Sequence, residues 1–280
     1  MNNAIDLTRL SAPDVLETVS YEAIYQELEA QLQQQFPDFP LLPSDPAIKL
    51  MELFAYREVL LRQRVNDAAQ SVMVAYATGS DLDHLGVLFG VAREEAESDE
   101  RYRLRIPLSL ESHSMGGTSG AHQYHAFTAS AKVKDVFVES TLPGIVEVHV
   151  LPVADVVTLE DKEALRTEVL RYLNDEDVRP LTDLVRVHLV EPTAYTIEAD
   201  IYFNAGINTE QVKVSIHRAI ENFIQSHYLL GKEVPSSGLI DALHQGGVRK
   251  VKLCSMHDDL SPSAKNAAYC RDVQLHFPTE

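Results

Sequence analysis

The stretch from Pro46 to Ala77 constrains the fold more than any other part of the chain. Its apolar residues Met51, Phe54, Leu61, Val65, Ala68 and Val72 recur in alternating three- and four-residue steps, interrupted only by Glu58. That spacing keeps one apolar stripe along a helix, as in a coiled-coil seam. Asp45 stands where a helix cap belongs, and Pro46 suits the first helical position, where a missing N–H costs nothing. A helix running to Ala77 would be on the order of 45–50 Å long, well beyond the usual three turns. Two readings of the seam stay open: it packs on short helices of its own chain, or part of it packs on helices of another protein. A rod of that length exceeds what a small domain covers, so these six residues are candidate partner contacts.

The flanks are helical too. SYEAIYQELEAQLQQQF places Tyr21, Ile24, Leu28 and Leu32 at helical spacing behind a Ser20 cap, and PDFPLLPSDP breaks that helix. In ATGSDLDHLGVLFGVARE, Gly79 reads as the stop of the long helix. Ser80 reads as the cap of a short helix with Leu82, Leu85, Leu88 and Phe89 facing inward, ended by Gly90. REEAESDERYRLR follows, an acidic run read as a solvated loop. Its arginines Arg101, Arg103 and Arg105 alternate, which predicts an extended segment with one polar face and a basic patch for an acidic neighbour.

From Ser109 the pattern changes to helices alternating with strand pairs. A short helix is expected near Ala121 to Ala131, then strands VKDVFVES and GIVEVHVLP joined by a tight Leu142–Pro143–Gly144 turn. A helix from Thr158 to Leu173, strands LVRVHLVEP and AYTIEADIYF, and a helix from Thr209 to His227 come next. A short helix near Leu239 to Gln245 and the strands VRKVKLC and DVQLHF close the chain. SGAHQYHAFTASAKVKDVFV and SGLIDALHQGGVRKVKL both run Ser-Gly, short helix, strand, a weak internal repeat. The fold class is therefore α+β: a helical N-terminal region, then small modules with antiparallel or mixed sheets. The boundaries expected are 1–100 for the helical partner-binding region, 101–155 for a first α+β module and 156–280 for the second and third.

Composition excludes several functions. Asp and Glu number 42 against 24 Lys and Arg, a formal charge of −18, which is wrong for binding a phosphate backbone or an anionic membrane surface. It suits docking on less acidic partners. The N-terminus lacks a basic, then apolar, secretory leader, and no run of about 18 apolar residues occurs, which predicts synthesis in a cytoplasm and no membrane insertion. Cys254 and Cys270 form no CxxC pair and read as plain thiols. The Gly-rich GGTSG near Gly116 lacks the Lys-Ser/Thr of a phosphate loop. His122 and His125 share a helical face, but a metal would need a further ligand, and His113 sits on a loop of unknown position. Asp81 to Asp83 suit the first turn of a helix better than a metal-binding DxD motif. No nucleophile–base constellation is evident, so no catalytic residue, cofactor or metal is expected.

Three motifs, in order, carry a resemblance. The first is Ala77, Gly79, Leu82, Asp83, Gly90, Val91 and Arg93. The second is Arg179, Pro180, Leu181, Thr182 and Asp183 in VRPLTDLVRV. The third is Gly231, Glu233, Val234, Leu239, Ala242, Leu243, Gly247 and Val248. Together they resemble the baseplate J family of contractile phage tails and related tailocins, over most of the chain. The resemblance implies a structural wedge protein of the virion's tail baseplate, assembled in the bacterial host cytoplasm. It implies as partners a small lysozyme-like wedge protein, a tail-fibre-connecting wedge protein, other copies of the chain and a central hub and spike. The alternatives are a cytoplasmic α+β hydrolase or transferase, which would need a pocket of convergent polar groups, and an adaptor of another secretion machine.

Overall fold

The computed structural model describes residues 13, 15–112, 117–156, 158–256 and 258–278. Among them are eight helices and six strands in two three-stranded sheets, an α+β chain with a helical N-terminal region. The chain divides into two compact units. The described residues up to 93, with 98–106, form a helical unit; 94–97 and the described residues from 107 onward form an α+β unit.

In the helical unit, α1 spans Tyr21–Gln35 and α2 spans Pro46–Ser71. Both begin at the expected caps: Ser20 Oγ accepts from the Ala23 N–H, and Asp45 Oδ1 from the Ala47 N–H. The two helices pack through Ile24, Ile48, Met51 and Ala55. Further along the same face of α2, burial turns polar. Asn66 holds the backbone of Glu17 at both ends, donating from Nδ2 to its carbonyl at 2.8 Å and accepting its N–H at 3.1 Å.

α2 stops at Ser71, not near Ala77, so its 26 residues make a rod of about 39 Å. The turn that follows it is braced from a position remote in sequence. Arg103 donates from Nε to the Val74 carbonyl at 2.8 Å and from Nη2 to the Ala77 carbonyl at 2.6 Å. The guanidinium thus braces 74–77 as a turn through two of its carbonyls. Gly79, expected as a helix stop, opens the next helix, α3 (Gly79–Leu88), at φ +53°; Thr78, not Ser80, is its cap. Gly90 does end α3. At φ +69° its N–H reaches the Val87 carbonyl while the Val91 N–H reaches Gly86, the paired bonds of a Schellman cap.

RYRLR is not extended. It lies in α4 (Asp99–Ser112), whose first turn carries Asp99 and Glu100 and whose interior holds Pro107. Tyr102, Arg105, Ile106 and Ser109 are buried at helical spacing. The alternation of arginines imitates a strand only because one arginine of the three is part of the core.

In the α+β unit, α5 (Ser119–Ala129) is capped by Thr118 Oγ1 and leads into the hairpin of β1 (Val133–Leu142) and β2 (Ile145–Pro152), turned at Pro143–Gly144. α6 (Leu159–Leu173) then crosses to β3 (Leu184–Leu189), parallel to β2. The sheet order is β1-β2-β3, and Phe127, Val136, Val148, Leu165, Val169 and Val187 fill the core beneath α5 and α6. The second sheet is centred on β4 (Thr193–Phe203), followed by α7 (Thr209–His227) and α8 (Ser236–Leu243). β5 (Val248–Leu253) pairs with β4 antiparallel and β6 (Ala268–His276) parallel, and Ile197, Ile201, Ile216, Ile220, Leu239 and Leu243 form its core.

The two modules have the same parts in a different order. Each has a central strand (β2, β4), an antiparallel neighbour preceded by a short helix (α5–β1, α8–β5), a helix directly after the central strand (α6, α7) and a parallel neighbour last (β3, β6). The helix–strand pair precedes the central strand in the first module and follows it in the second. This is the unit behind the Ser-Gly repeat. Leu151, Val190, Tyr228 and Ala267 join the modules in a small apolar cluster. There Asp135 accepts the Leu230 N–H at 2.9 Å, and burial pushes its carboxyl above the usual range. Burial likewise pushes the Tyr228 hydroxyl up to about 12.

Candidate partner-binding face

Of the six seam residues, the structure turns Met51 inward and five outward. Phe54, Leu61, Val65 and Val72 are each more than 60% exposed, and Ala68 is exposed as well. At 3.6 residues per turn these five fall within a sector roughly 60° wide, about a third of a turn from the stripe of Ile48, Met51, Ala55 and Asn66. Leu50 lies in the same sector, and Leu53, Tyr56 and Leu60 widen it on one side; all four are exposed. The sequence reading missed these four by following a single seam. The adjacent apolar pairs Leu53–Phe54 and Leu60–Leu61, seven residues apart, were the signal for a broader face. Leu28 and Leu32 of α1 line an open groove against Leu50, Phe54 and Leu61. α1 itself has only Ile24 buried among its 15 residues. A helix of that length is marginal in water unless an apolar face is covered, and the described residues of its own unit cover little of this one. Charges flank the face as intrahelical pairs, Lys49–Glu52 and Arg62–Glu58.

The three arginines do not form a shared basic patch. Arg105 is 1% exposed, donates to the Ala92 carbonyl at 2.7 Å and lies over the Tyr102 ring. Arg103 is committed to the Val74 and Ala77 carbonyls. Arg101 lies half-buried at the start of α4, its backbone N–H donating to Ser98 Oγ. A helix sends alternate residues to different faces, so the expected patch is replaced by two interior braces.

The first motif turns out to be a scaffold for that helical unit. Arg93 pairs with Asp83 at 2.7 Å and Asp99 at 2.7 Å while stacking over Tyr102. Asp99 also accepts the Gly79 N–H; that bond first, with Arg93 adding to it against some desolvation, holds the carboxyl below the usual range. Leu82 and Val91 are buried, and the Val91 carbonyl accepts from the Tyr102 hydroxyl at 2.7 Å. Asp83 therefore serves an ion pair, not a metal.

The other motifs are structural as well. In the second, the Pro180–Asp183 turn closes on itself through the Asp183 N–H to the Pro180 carbonyl. It packs so close to Gly117 that an added Cβ would sit 2.7 Å from Asp183 Oδ2. His122 Nε2 stands 3.8 Å from the same carboxylate, and its Nδ1 is 3.0 Å from the Thr118 carbonyl. His125 packs against Tyr124 and Tyr172, and burial lowers its pKa. His113 and Gly116 lie outside the described residues. In the third motif, Leu239, Leu243 and Val248 are core residues, and Val234 bridges to Leu260. Among the described residues no group of three His, Cys, Asp or Glu side chains is placed to hold a metal, and both cysteines are free thiols. No helix of the described residues is long and apolar enough to cross a membrane.

Comparison with known proteins agrees with this architecture. Residues 43–99 match the Baseplate J-like N-terminal domain, a segment that holds all of α2 and the Arg93–Asp83–Asp99 network. The chain is also 35% identical, over 295 aligned positions covering 97% of each sequence, to the Baseplate protein J of Escherichia phage P2.

Proposed function

Since the chain belongs to the baseplate J family and is a structural component of a phage tail baseplate, we propose that it acts as a wedge protein whose α2 face enters a helical bundle with other wedge proteins. The observation that carries this is the outward stripe of Phe54, Leu61, Val65 and Ala68 on α2, continued by Val72 at its C-cap, about a third of a turn from the stripe that packs on α1. Large apolar side chains in one continuous row are costly to leave in water, and such rows mark protein contacts. The chemistry asks for apolar helices, which suits a small lysozyme-like wedge protein and a tail-fibre-connecting one. In this reading the helical region within 1–100 binds partners. The α+β modules meet neighbouring wedges, other copies of the chain, and the hub and spike. The role is assembly without catalysis, cofactor or nucleic acid, in particles built in the host cytoplasm. The net charge of −18 opposes unaided stacking of like surfaces, so the isolated chain should be monomeric or dimeric and close into rings only with its partners.

Val65→Asp tests the proposal. Val65 is 61% exposed, so the isolated variant should unfold within about 0.5 kcal/mol of the parent. Burying the new carboxylate in a bundle would cost several kcal/mol, enough to abolish co-purification with the other wedge proteins. Met51→Ala should do the reverse, lowering stability by about 2 kcal/mol or more while leaving the face intact. Normal assembly by a folded Val65→Asp chain would refute the bundle.

A further inference from the structure

The face of the first sheet turned away from its core carries a row of ionisable side chains where it meets the second module. Side chains alternate between the faces, which places Asp135, Phe137 and Glu139 of β1, Glu147, His149 and Leu151 of β2, and Arg186, His188 and Val190 of β3 on this side. Leu151 and Val190 belong to the apolar cluster that joins the modules, so His149 and His188 stand at its rim, one outward position away. The register sets His149 between Phe137 and His188, with ring centroids 6.2 and 5.3 Å away. Its Nε2 is buried and makes no hydrogen bond among the described residues; Glu139 Oε1 is 3.5 Å from it. The same oxygen is held by Lys265, which comes from the second module just ahead of β6. Lys265 does not act alone. The Gly231 N–H donates to the Asn266 carbonyl at 2.8 Å, which ties the Lys265 loop to the segment whose Leu230 N–H reaches Asp135.

We infer that Glu139 is a latch between the two modules and His149 its acid-sensitive release: a proton taken up by the His149 ring draws Glu139 off Lys265, and the junction loosens. While the ring is neutral, Glu139 serves Lys265 alone. Once it is charged, an imidazolium and an ammonium share one carboxylate oxygen and repel each other, in a place too dry to screen them well. Burial comes first in lowering the His149 pKa; Glu139 pulls it up, and His188 and Lys265 push it down. Lys265 first, with His149 adding to it against some desolvation, holds the Glu139 carboxyl below the usual range, so Glu139 stays ionised while His149 titrates. The remaining charges on this face are already engaged, since Glu147 pairs with both His188 and Arg186. A base whose pKa is lowered in the closed junction stabilises that junction fully above its free value near 6.5. The contribution is lost as pH falls from there to the lowered value. Asp135 works the other way. Burial raises its carboxyl, so a proton there relieves a buried charge, and acid release must come from His149. The latch lies within the α+β unit and does not depend on the α2 face.

Hydrogen exchange of the Leu230 amide in the full chain, corrected for the intrinsic pH dependence of exchange, reads the junction. The Ile197 and Ile201 amides of β4 report global opening in the same sample. Between about pH 7.5 and about pH 5, Leu230 protection should fall about tenfold or more while the β4 amides hold. His149→Phe keeps a ring packed beside Phe137 and takes no proton, so its Leu230 protection should stay level over that range. Should that variant fold poorly, Lys265→Gln leaves the sheet unaltered and removes the competing cation. The His149 ring, followed by its NMR shifts, should then titrate at a higher pH than in the parent. Level Leu230 protection in the parent would overturn the inference. So would an equal loss in the His149→Phe chain, or a His149 titration that Lys265→Gln does not move.

Discussion

Gly86 offers a sharp test of how the helical unit is packed. It lies inside α3, where replacing Gly by Ala ordinarily stabilises by about 1 kcal/mol. Here an added Cβ would stand 1.8 Å from the Tyr102 hydroxyl oxygen, 2.6 Å from its Cζ and 2.9 Å from the Val91 carbonyl. Tyr102 is 1% exposed, holds Val91 through its hydroxyl and has Arg93 4.7 Å above its ring. It can yield only by breaking a buried hydrogen bond, about 1–3 kcal/mol, and by straining a filled core, about 1–3 kcal/mol more. Sterics therefore outweigh propensity, and Gly86→Ala should lose about 3 kcal/mol net. Denaturant unfolding of the isolated chain, with amide protection of α3 as the local probe, measures this. Tyr102→Phe removes the nearest obstructing atom. The double variant Gly86→Ala/Tyr102→Phe should thus be more stable than the sum of the single losses, by about 1 kcal/mol or more. A stabilised Gly86→Ala chain, or strict additivity in the cycle, would refute this packing.

Three further outcomes follow from the same unit. Arg103→Ala should free the Val74 and Ala77 carbonyls and cost about 1.5–3 kcal/mol per lost charge-assisted bond. Arg103→Lys should rescue little, because one ammonium does not reproduce a planar fork, and circular dichroism with thermal melts reads both. Asp99 has a lowered folded pKa, so its stabilisation is present above the unfolded value near 3.9 and is lost as pH falls through the folded value. Asp99→Asn should accordingly be less stable than the parent at pH 7 and show a flatter acid limb in a pH series of melts; parallel curves would exclude the pairing.

What could be read in the sequence was what chemistry makes local. Ser20, Asp45 and Thr158 cap their helices because a side-chain oxygen accepts from an N–H two or three residues ahead. The Pro143–Gly144 turn and the alternation on either side of it gave the first hairpin. What escaped depends on partners far along the chain. The turn at 74–77 that follows α2 is braced by Arg103, more than twenty residues later. Arg105 looked like surface charge because the Ala92 carbonyl that receives it cannot be inferred from its neighbours. For the candidate face, the stripe was legible and its direction was not. A periodic row states which residues share a side, while Asn66 and its hold on Glu17 decide which side turns inward.

The residues most distinctive in sequence and the residues proposed to meet partners are largely different sets, and the permuted modules explain why. The motif positions are those where backbone or packing tolerates few alternatives: the Pro180–Asp183 turn seated against Gly117, the Schellman glycine after α3, the fully buried Leu239 and Leu243. They keep each module's layers in contact. Strand pairing and helix packing act between neighbours in space, so the helix–strand pair serves equally before the central strand, as α5–β1, or after it, as α8–β5. The order of assembly along the chain is then free to vary while the layered unit stays the same. The surfaces are not bound in that way. β3 and β6 hold the same place in their modules, yet the register of β6 breaks where two residues of β4 meet Cys270 and Asp272, and that of β3 does not break. An edge left straight in one module and broken in its counterpart is a difference the common scaffold does not require.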